Sequence, residues 1–468
     1  MNVIKYLRKA GYDTVSGEFY GKIYEWQSWY EADVRHFHRY RIYNGKNTIN
    51  CRRLSLGMAK KLCEDIADLL LNERVMITID DGTTSAFVMD ILEQNHFEVL
   101  GNEYQERKSY TGTVAYVPYL ADISVDQEGR YVSGGTVKIN YVSGENIYPL
   151  SWDNGFITEC AFVFMRTIKS RDYAHIQIHK LVNGSYDIEN HIVDCTNGSE
   201  REVLEEKWKD LPGFANLAPL VHTGMTERQF VIDRLNISNN YSSNNPMGMS
   251  IFANAIDVLK GLDVVYDSYV NEFILGKKRI FVAPEMLITD ELGNAAFDPN
   301  DVAFYQLPEE MKNENEAIKE VNMTIRSEDH ERGINNALNM LSCKCGFGQN
   351  HYKFDSGNIQ TATQVISENS DMYRSVNKHE IILKSVLTEL IRIIARLGRA
   401  IGVNTDPDSE IVIEFDDSII EDKASERQED RSDMAAGVMT KVEYRAKWYG
   451  ETEEEAKKHI VEDESVVE

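Results

Sequence analysis

Cysteine is scarce in this chain of 468 residues, and long apolar runs are missing. No run approaches the roughly 18 apolar residues that a membrane span needs. Residues 1–9 lack the uninterrupted apolar core of a signal peptide. The sequence therefore predicts a reducing cytoplasm, no membrane partner and no disulfide framework. The six cysteines are scattered: Cys51, Cys63, Cys160, Cys195, Cys343 and Cys345.

Motifs of common enzymes are also missing. The chain has neither a Gly-x-x-x-x-Gly-Lys-Ser/Thr phosphate loop nor a Gly-x-Ser-x-Gly nucleophile elbow. His175 and His179 fall in a predicted strand, where four residues span about 13 Å, too far to share an ion. Cys343 and Cys345 have no second pair to complete a zinc site. We therefore expect no catalytic residue, no metal and no cofactor, and predict that the protein is not an enzyme.

Basic residues are few relative to acidic ones. The chain carries 50 Lys and Arg against 76 Asp and Glu, a net charge of -26. Such a chain is not expected to grip nucleic acid tightly over a broad surface, because phosphate binding needs a concentrated basic face. Residues 410–468 hold 19 acidic against 8 basic residues. We interpret the end of that stretch as a solvated helical tail.

The most informative segment that is present is a glycine-containing loop followed by a very long amphipathic pattern. The loop contains Gly346, Gly348 and Gly357, and the helical period begins near Thr361 and ends at Gly402. About 40 helical residues would reach roughly 60 Å. A rod of that length usually spans an assembly, although a long buried helix in an ordinary large protein is the alternative. The apolar positions are Val365, Met372, Val376, Leu383, Val386, Leu387, Leu390, Ile394 and Leu397.

The first half of the chain predicts an α+β body. An aromatic helical face (Tyr20, Ile23, Trp26, Trp29 and Tyr30) precedes a second helix over residues 55–73, with Ser55 as its N-cap. From residue 75 to about 235, alternating runs predict antiparallel strands. The strands are predicted at 75–79, 137–141, 161–164 and 175–179, and turns at 81–82, 183–184 and 197–198.

The second half predicts helices around a small insert. A polar linker at 237–245 precedes a helix from about 248 to 274. The insert contains short strands at 279–283 and 302–305. A further helix begins at Ser327, whose side chain is predicted to cap it. The long helix, a strand at 411–415 and an acidic helical tail follow. The aromatic and long-helix stripes exceed what we expect one subunit to bury, so a closed ring is predicted.

Three local sequences and the order of elements resemble the portal proteins of tailed double-stranded-DNA bacteriophages of the SPP1 type. The first sequence is residues 55–73, with 37–40 upstream. The second is residues 246–255, which lead into the helix that ends at Lys277 and Lys278. The third is residues 361–365, which open the long helix. The resemblance extends from about residue 20 to about 460.

The resemblance implies an α+β portal fold that assembles as a ring, usually of twelve subunits. Residues 1–245 would form the α+β part of the wing, and 361–418 its long helix and strand. The two stem helices would be 246–276 and 327–344, and the β clip between them 277–326. The tunnel loop would be 345–360, and the crown of acidic C-terminal helices 419–468.

The resemblance also implies partners and contact residues. The ring would sit at one capsid vertex of the virion after assembly in the host bacterial cytoplasm, as a conduit for DNA packaging and ejection. Its partners would be further copies of itself, the terminase large subunit, a head–tail adaptor, the major capsid and scaffolding proteins, and double-stranded DNA. Lys277, Lys278 and Arg279 would contact terminase and then the adaptor. The residues expected near DNA are Lys344, Gly346, Phe347, Gly348, Gln349, Asn350, His351, Tyr352, Lys353 and Phe354.

Two other functions remain open at this point. One is a different structural ring that completes the head, although such subunits are usually much shorter. The other is a metal-dependent packaging nuclease that would use Asp416, Asp417 or Glu421. Paired acids beside a surface helix are far more often solvated charge.

Overall fold

The computed structural model describes residues 2–43, 45–71, 75–126, 129–276, 279–282, 304–306, 318–321, 324–353, 362–415 and 423–459. Helices and strands are both abundant in these ranges, which confirms the α+β class. The helices are α1 Val3–Lys9, α2 Gly17–Tyr30, α3 Arg35–His38, α4 Met58–Leu70, α5 Gly82–Gln94, α6 Phe97–Thr111, α7 Ile256–Leu275, α8 Ser327–Lys344, α9 Ala362–Ala400, α10 Lys423–Ala436, α11 Lys441–Tyr449 and α12 Glu453–His459.

The strands form one larger antiparallel sheet and several small sheets, which are antiparallel except for the pair of β13 with β14. The larger sheet has the order β10–β9–β8–β7–β6, and β11 also pairs with β9. The order β12–β4–β5 makes a second sheet, and β16 pairs with β3. The strands are β1 Arg39–Tyr43, β2 Thr48–Arg52, β3 Met76–Ile79, β4 Thr113–Val125, β5 Tyr131–Ser143, β6 Ile147–Asp153, β7 Phe156–Ile168, β8 Arg171–Val182, β9 Ser185–Asp194, β10 Arg201–Glu202, β11 Leu220–His222, β12 Val231–Arg234, β13 Arg279–Val282, β14 Phe304–Gln306, β15 Ile318–Val321 and β16 Ile411–Glu414.

Two predicted helix caps are wrong. Gly57, in the left-handed conformation at φ 71°, occupies the N-cap of α4, and the Ser55 hydroxyl accepts from its backbone N–H instead. Ser327 is the first residue inside α8, after Arg326 at the cap position, and no side chain caps this end of the helix. A polar residue near a helix start caps it only when its own backbone takes the cap conformation.

The predicted turn at Asp81 and Gly82 is also wrong, because these residues begin α5. The Asp81 carboxylate accepts from the backbone N–H of Thr84 at 2.7 Å. Helix α6 follows within a stretch that was predicted to be mostly strand. Aspartate followed by glycine suits both a turn and a helix start, so the local signal is ambiguous. The turn predicted at Asn183 and Gly184 is confirmed between β8 and β9.

The first predicted stem helix begins later than expected, at Ile256 instead of about residue 248. The preceding residues are buried, and their backbone bonds to the end of α6. The N–H of Gly248 donates to the Thr113 hydroxyl at 2.8 Å, and the N–H of Ile251 donates to the Ser109 carbonyl at 2.9 Å. These tertiary hydrogen bonds satisfy backbone N–H groups of the segment, which therefore need no helix.

Helix α9 confirms the predicted length but not its interpretation. It spans 39 residues, and Gly402 follows it at φ 89°. Its described apolar positions, from Met372 to Leu397, lie in the core of the same subunit. The aromatic stripe of α2 is buried there as well, including Trp26. One subunit therefore covers both stripes, and the ring prediction must rest on other observations.

Candidate functional site

Helices α7 and α8 form an antiparallel pair, and Glu272 ties together the points where the insert leaves and returns. Its carboxylate accepts from the Arg326 backbone N–H at 3.0 Å and from the guanidinium Nε and Nη2 at 3.0 and 3.1 Å. His330 also contacts it through Nε2. These hydrogen bonds, with those of Arg326 first, lower the pKa of Glu272 to about 2. The carboxylate is therefore charged at neutral pH and holds the two ends of the insert side by side.

The middle of α7 is attached to the N-terminal body through buried acids. The Asp263 carboxylate lies 3.0 Å from His38 Nε2 and accepts from the Leu56 N–H at 2.9 Å. Asp267 accepts from the Leu54 N–H at 2.9 Å. The helix pair is thus fixed by charged hydrogen bonds at the insert end and along the middle of α7.

The glycine loop after α8 begins inside the core. The Phe347 N–H donates to the Ser342 carbonyl at 2.9 Å, and the Phe347 ring is only 1% exposed. Gly346 has φ 86°, and a side chain there would overlap Ser375 of α9. Gly348 is left-handed too, at φ 80°. Glycine is required at these two positions because the backbone turns sharply against the long helix.

The following residues fold back onto α4 and α8. The Tyr352 hydroxyl donates to the Asp65 carboxylate at 2.6 Å. The Asn350 N–H donates to the Asn339 side-chain oxygen at 2.6 Å. The Phe347 ring stacks on His351 with centroids 4.7 Å apart. The described part of the loop, up to residue 353, is therefore anchored.

The structure separates the predicted DNA contacts into exposed and buried groups. Lys344, Gln349, His351 and Lys353 are exposed. Gly346, Asn350 and Tyr352 are half-buried, and Gly348 is buried. Phe354 lies outside the described residues.

Phe347 does not qualify as a DNA contact in this conformation, because its ring belongs to the core. Lys344 remains accessible while its ammonium donates to the Asn254 carbonyl at 3.2 Å. Burial lowers the pKa of His351, so its exposed edge is neutral at neutral pH.

The predicted clip contacts are described only in part. Lys277 and Lys278 lie outside the described residues. Arg279 begins β13, which pairs in parallel with β14 and antiparallel with β15. The predicted strand at 279–283 is confirmed, the strand near 302–305 appears at 304–306, and β15 was missed.

The candidate metal and catalytic residues form no centre in the described ranges. No group of three potential metal ligands occurs there. His175 hydrogen-bonds Asn190 at 2.8 Å, and burial lowers its pKa to about 4. Cys345 is buried, which raises its pKa to about 12, whereas Cys343 is exposed. Asp416, Asp417 and Glu421 lie outside the described residues.

All six cysteines are free thiols. No helix in the described ranges combines the length and apolarity that a bilayer crossing requires.

Sequence reasoning missed the residues that anchor this site. Asp65 is 287 positions from Tyr352, and Glu272 is 54 positions from Arg326. A single acidic residue on a helix carries no local signal for such a role. The sequence does contain one signal for the contact of Glu272 with Arg326. An acidic residue precedes the insert and a basic residue follows it, so the two could meet where the insert begins and ends.

None of the curated proteins matches the chain. The family model described as phage portal protein, SPP1 Gp6-like, matches residues 12–466.

Proposed function

Because the chain belongs to the SPP1 Gp6-like family of phage portal proteins, we propose that it forms a ring at one capsid vertex and serves as the conduit for DNA packaging and ejection. Twelve subunits is the expected number. The observation that carries the proposal is the match over residues 12–466, nearly the full chain. The family is structural, so the protein acts as an assembly platform and not as an enzyme.

Electrostatics agree with a conduit. A chain of net charge -26 offers DNA few places to bind tightly. An acidic wall lets phosphates slide, and cations from the medium screen the repulsion within about 8–10 Å at physiological salt. At the end of α8 and in the anchored loop, Lys344 and Lys353 supply two cations per subunit, which suits transient phosphate contact.

The division of the subunit into the parts of a ring is part of this proposal. We assign α7 and α8 to the stem, residues 277–326 to the clip, 345–360 to the tunnel loop and 419–468 to the crown. Residues 361–418 join residues 1–245 in the wing. The pairing of β16 with β3 and the contacts of α9 with β4 and β12 support placing those two segments in one body.

Exposed apolar residues on the helix pair support assembly through the stem. Phe273, Ile274 and Leu275 at the end of α7 are 43, 54 and 58% exposed, and Met340 of α8 is 61% exposed. Residues 273–275 lie together at the insert end of the pair, whereas Met340 lies towards its other end, near the contact of Lys344 with Asn254. Exposed apolar side chains that lie together mark interaction surfaces. In a ring, neighbouring stems would cover them.

We expect the purified chain to form closed rings at micromolar concentration and physiological salt. Native mass spectrometry should give one mass near twelve times 53.6 kDa, and negative-stain images should show a toothed ring with a central hole. A thirteen-subunit ring would agree as well, because isolated rings of one protein can differ in size. A monodisperse monomer would contradict the proposal, and chelator-sensitive DNA cleavage would favour a nuclease.

The clip is the proposed docking surface for the terminase large subunit and later for the head–tail adaptor. Alanine replacement of Lys277, Lys278 and Arg279 should leave rings intact and reduce terminase binding about tenfold at low salt, because basic side chains steer association with an acidic partner. Lys207 and Lys209, exposed cations elsewhere on the body, provide the control. Unchanged terminase affinity would remove this assignment, and broken rings would make the three residues assembly contacts.

The tunnel loop is proposed to act on DNA passage and not on assembly. Shortening residues 348–356 retains Phe347 and should give normal rings and normal incorporation into proheads. Packaging or retention of full-length DNA should fall severalfold, because the exposed amide and basic side chains no longer reach the duplex. Lys207→Ala with Lys209→Ala, at an exposed site outside the loop, is the control. A shortened loop that packages and retains DNA like the parent would make the segment a plain connector.

A further inference from the structure

One stretch of this acidic chain is purely basic. Residues 34–63 contain eight Lys and Arg and no Asp or Glu. The other residues of the chain carry all 76 acids and the remaining 42 Lys and Arg. Most of the basic stretch is α3 and the hairpin of β1 and β2. A charge distribution this uneven calls for an acidic partner.

The hairpin has two faces of different chemistry. Directly paired residues share a face in an antiparallel ladder. Arg39 pairs with Arg52, and Arg41 pairs with Asn50, so these arginines lie on one face. The opposite face is mostly apolar and consists of Tyr40, Ile42, Ile49 and Cys51.

Both faces are open in the single subunit. Ile42 and Ile49 are 48 and 46% exposed, and Tyr43 near the turn is 68% exposed. Within the described ranges, neither β1 nor β2 pairs with a third strand. An isolated two-stranded hairpin is marginally stable in water. The exposed apolar face is therefore a surface that a cover from outside the subunit would stabilise.

The positive charge of the arginine face is only partly neutralised by acidic residues of the same subunit. The Arg39 Nε donates to Asp33 at 3.2 Å, but Arg52 directly opposes Arg39, and like charges opposite each other destabilise a ladder. Arg41 and Arg52 form no ion pair among the described residues. Arg53 instead anchors the base of the hairpin, with its guanidinium 4.3 Å from the Phe37 ring centroid.

We propose that this hairpin docks on a neighbouring copy of the chain, with its arginines against acidic side chains and its isoleucines in an apolar contact. The proposal rests on the proposed ring, which places identical acidic subunits side by side. A second copy satisfies both faces at once, because it offers carboxylates and apolar protein surface together. A DNA backbone would match the arginines alone and leave Ile42 and Ile49 in water.

Charge reversal tests the basic face. Arg41→Glu with Arg52→Glu should raise the concentration for half-maximal ring assembly at least tenfold, as measured by mass photometry across a dilution series. Lys207→Glu with Lys209→Glu changes the net charge equally at another exposed site and should assemble like the parent. The hairpin variant should keep the far-ultraviolet spectrum and the tryptophan emission of the parent, because neither arginine lies in the core.

Photocrosslinking identifies the occupant. A benzoylphenylalanine at Ile49 of the full chain should give covalent dimers and higher multimers within rings, with the adduct on the apolar surface of the second copy that the isoleucine face contacts. Adducts to DNA instead of protein, or rings of the charge-reversed variant equal to those of the control, would overturn the hairpin assignment while the proposed function stands. If the parent itself forms no ring, the proposed function fails, and this inference fails with it.

Discussion

Lys108→Ala is expected to destabilise the folded chain by about 3–5 kcal/mol, the cost of breaking a buried ion pair. The Lys108 ammonium lies 3.1 Å from both carboxylate oxygens of Asp233, and the two side chains are 1 and 0% exposed. Gln105 donates to the same carboxylate at 2.7 Å. Burial lowers the pKa of Lys108, and Asp233 opposes that shift. Without the lysine, the Asp233 charge would remain buried with too few partners.

An exposed pair provides the control for this prediction. Lys22→Ala removes the 2.9 Å contact with Glu25, where the side chains are 42 and 36% exposed, and should cost no more than about 1 kcal/mol. Equilibrium urea unfolding at one fixed protein concentration, followed by tryptophan fluorescence, compares the two. Lys108→Met combined with Asp233→Leu should recover part of the loss, because no charge then remains buried. Equal decreases in the free energy of unfolding for Lys108→Ala and Lys22→Ala would show that the buried ion pair contributes no more to stability than the exposed one.

Gly248→Ala is expected to cost about 3 kcal/mol, because an added methyl group has no room. It would overlap the backbone carbonyl of Gly112 and approach the Cβ of Arg234 to 2.9 Å. Backbone atoms cannot move aside by changing rotamer, so the crossing of residues 246–250 over the end of α6 would have to shift. That crossing determines where α7 leaves the body, and we expect a lower yield of rings as well.

Gly261→Ala is the matched control, with the opposite expected sign. Gly261 lies within α7, and its added Cβ would meet no heavy atom within 4 Å. Alanine should therefore stabilise the helix by about 0.5–1 kcal/mol through helix propensity. Thermal unfolding of both variants beside the parent measures the contrast. A Gly248→Ala protein as stable as Gly261→Ala would refute the close crossing.

Elements with a strong internal period were predicted well. Helices α2, α4 and α9 and strands β7 and β8 appear where their patterns place them, and Gly402 follows α9 in the left-handed conformation. Each of these patterns lies within one segment, so it predicts the element correctly without knowledge of the tertiary contacts. Family membership was inferred in the same way, from short local sequences in order, and the match over residues 12–466 confirms it.

Predictions that depended on neighbours in space were wrong. The expectation that the α2 and α9 stripes exceed one subunit fails because sheets and helices distant in sequence cover them. The start of α7 was misplaced because residues 246–251 bond to α6 and its end instead of to one another. Phe347 was assigned to DNA from its position in a loop, but the loop folds back and buries it.

The sequence by itself determined the acidity of the chain, its α+β class, its long helix and its portal family, because composition and local periodicity do not depend on packing. The tertiary structure decided which side chains can meet a partner. Asp65 reaches Tyr352 across 287 positions, and Lys108 reaches Asp233 across 125. The hairpin arginines likewise became a surface only when the strand register placed them on one face. Such contacts depend on how many elements pack at once, so no single segment of the sequence carries their signal.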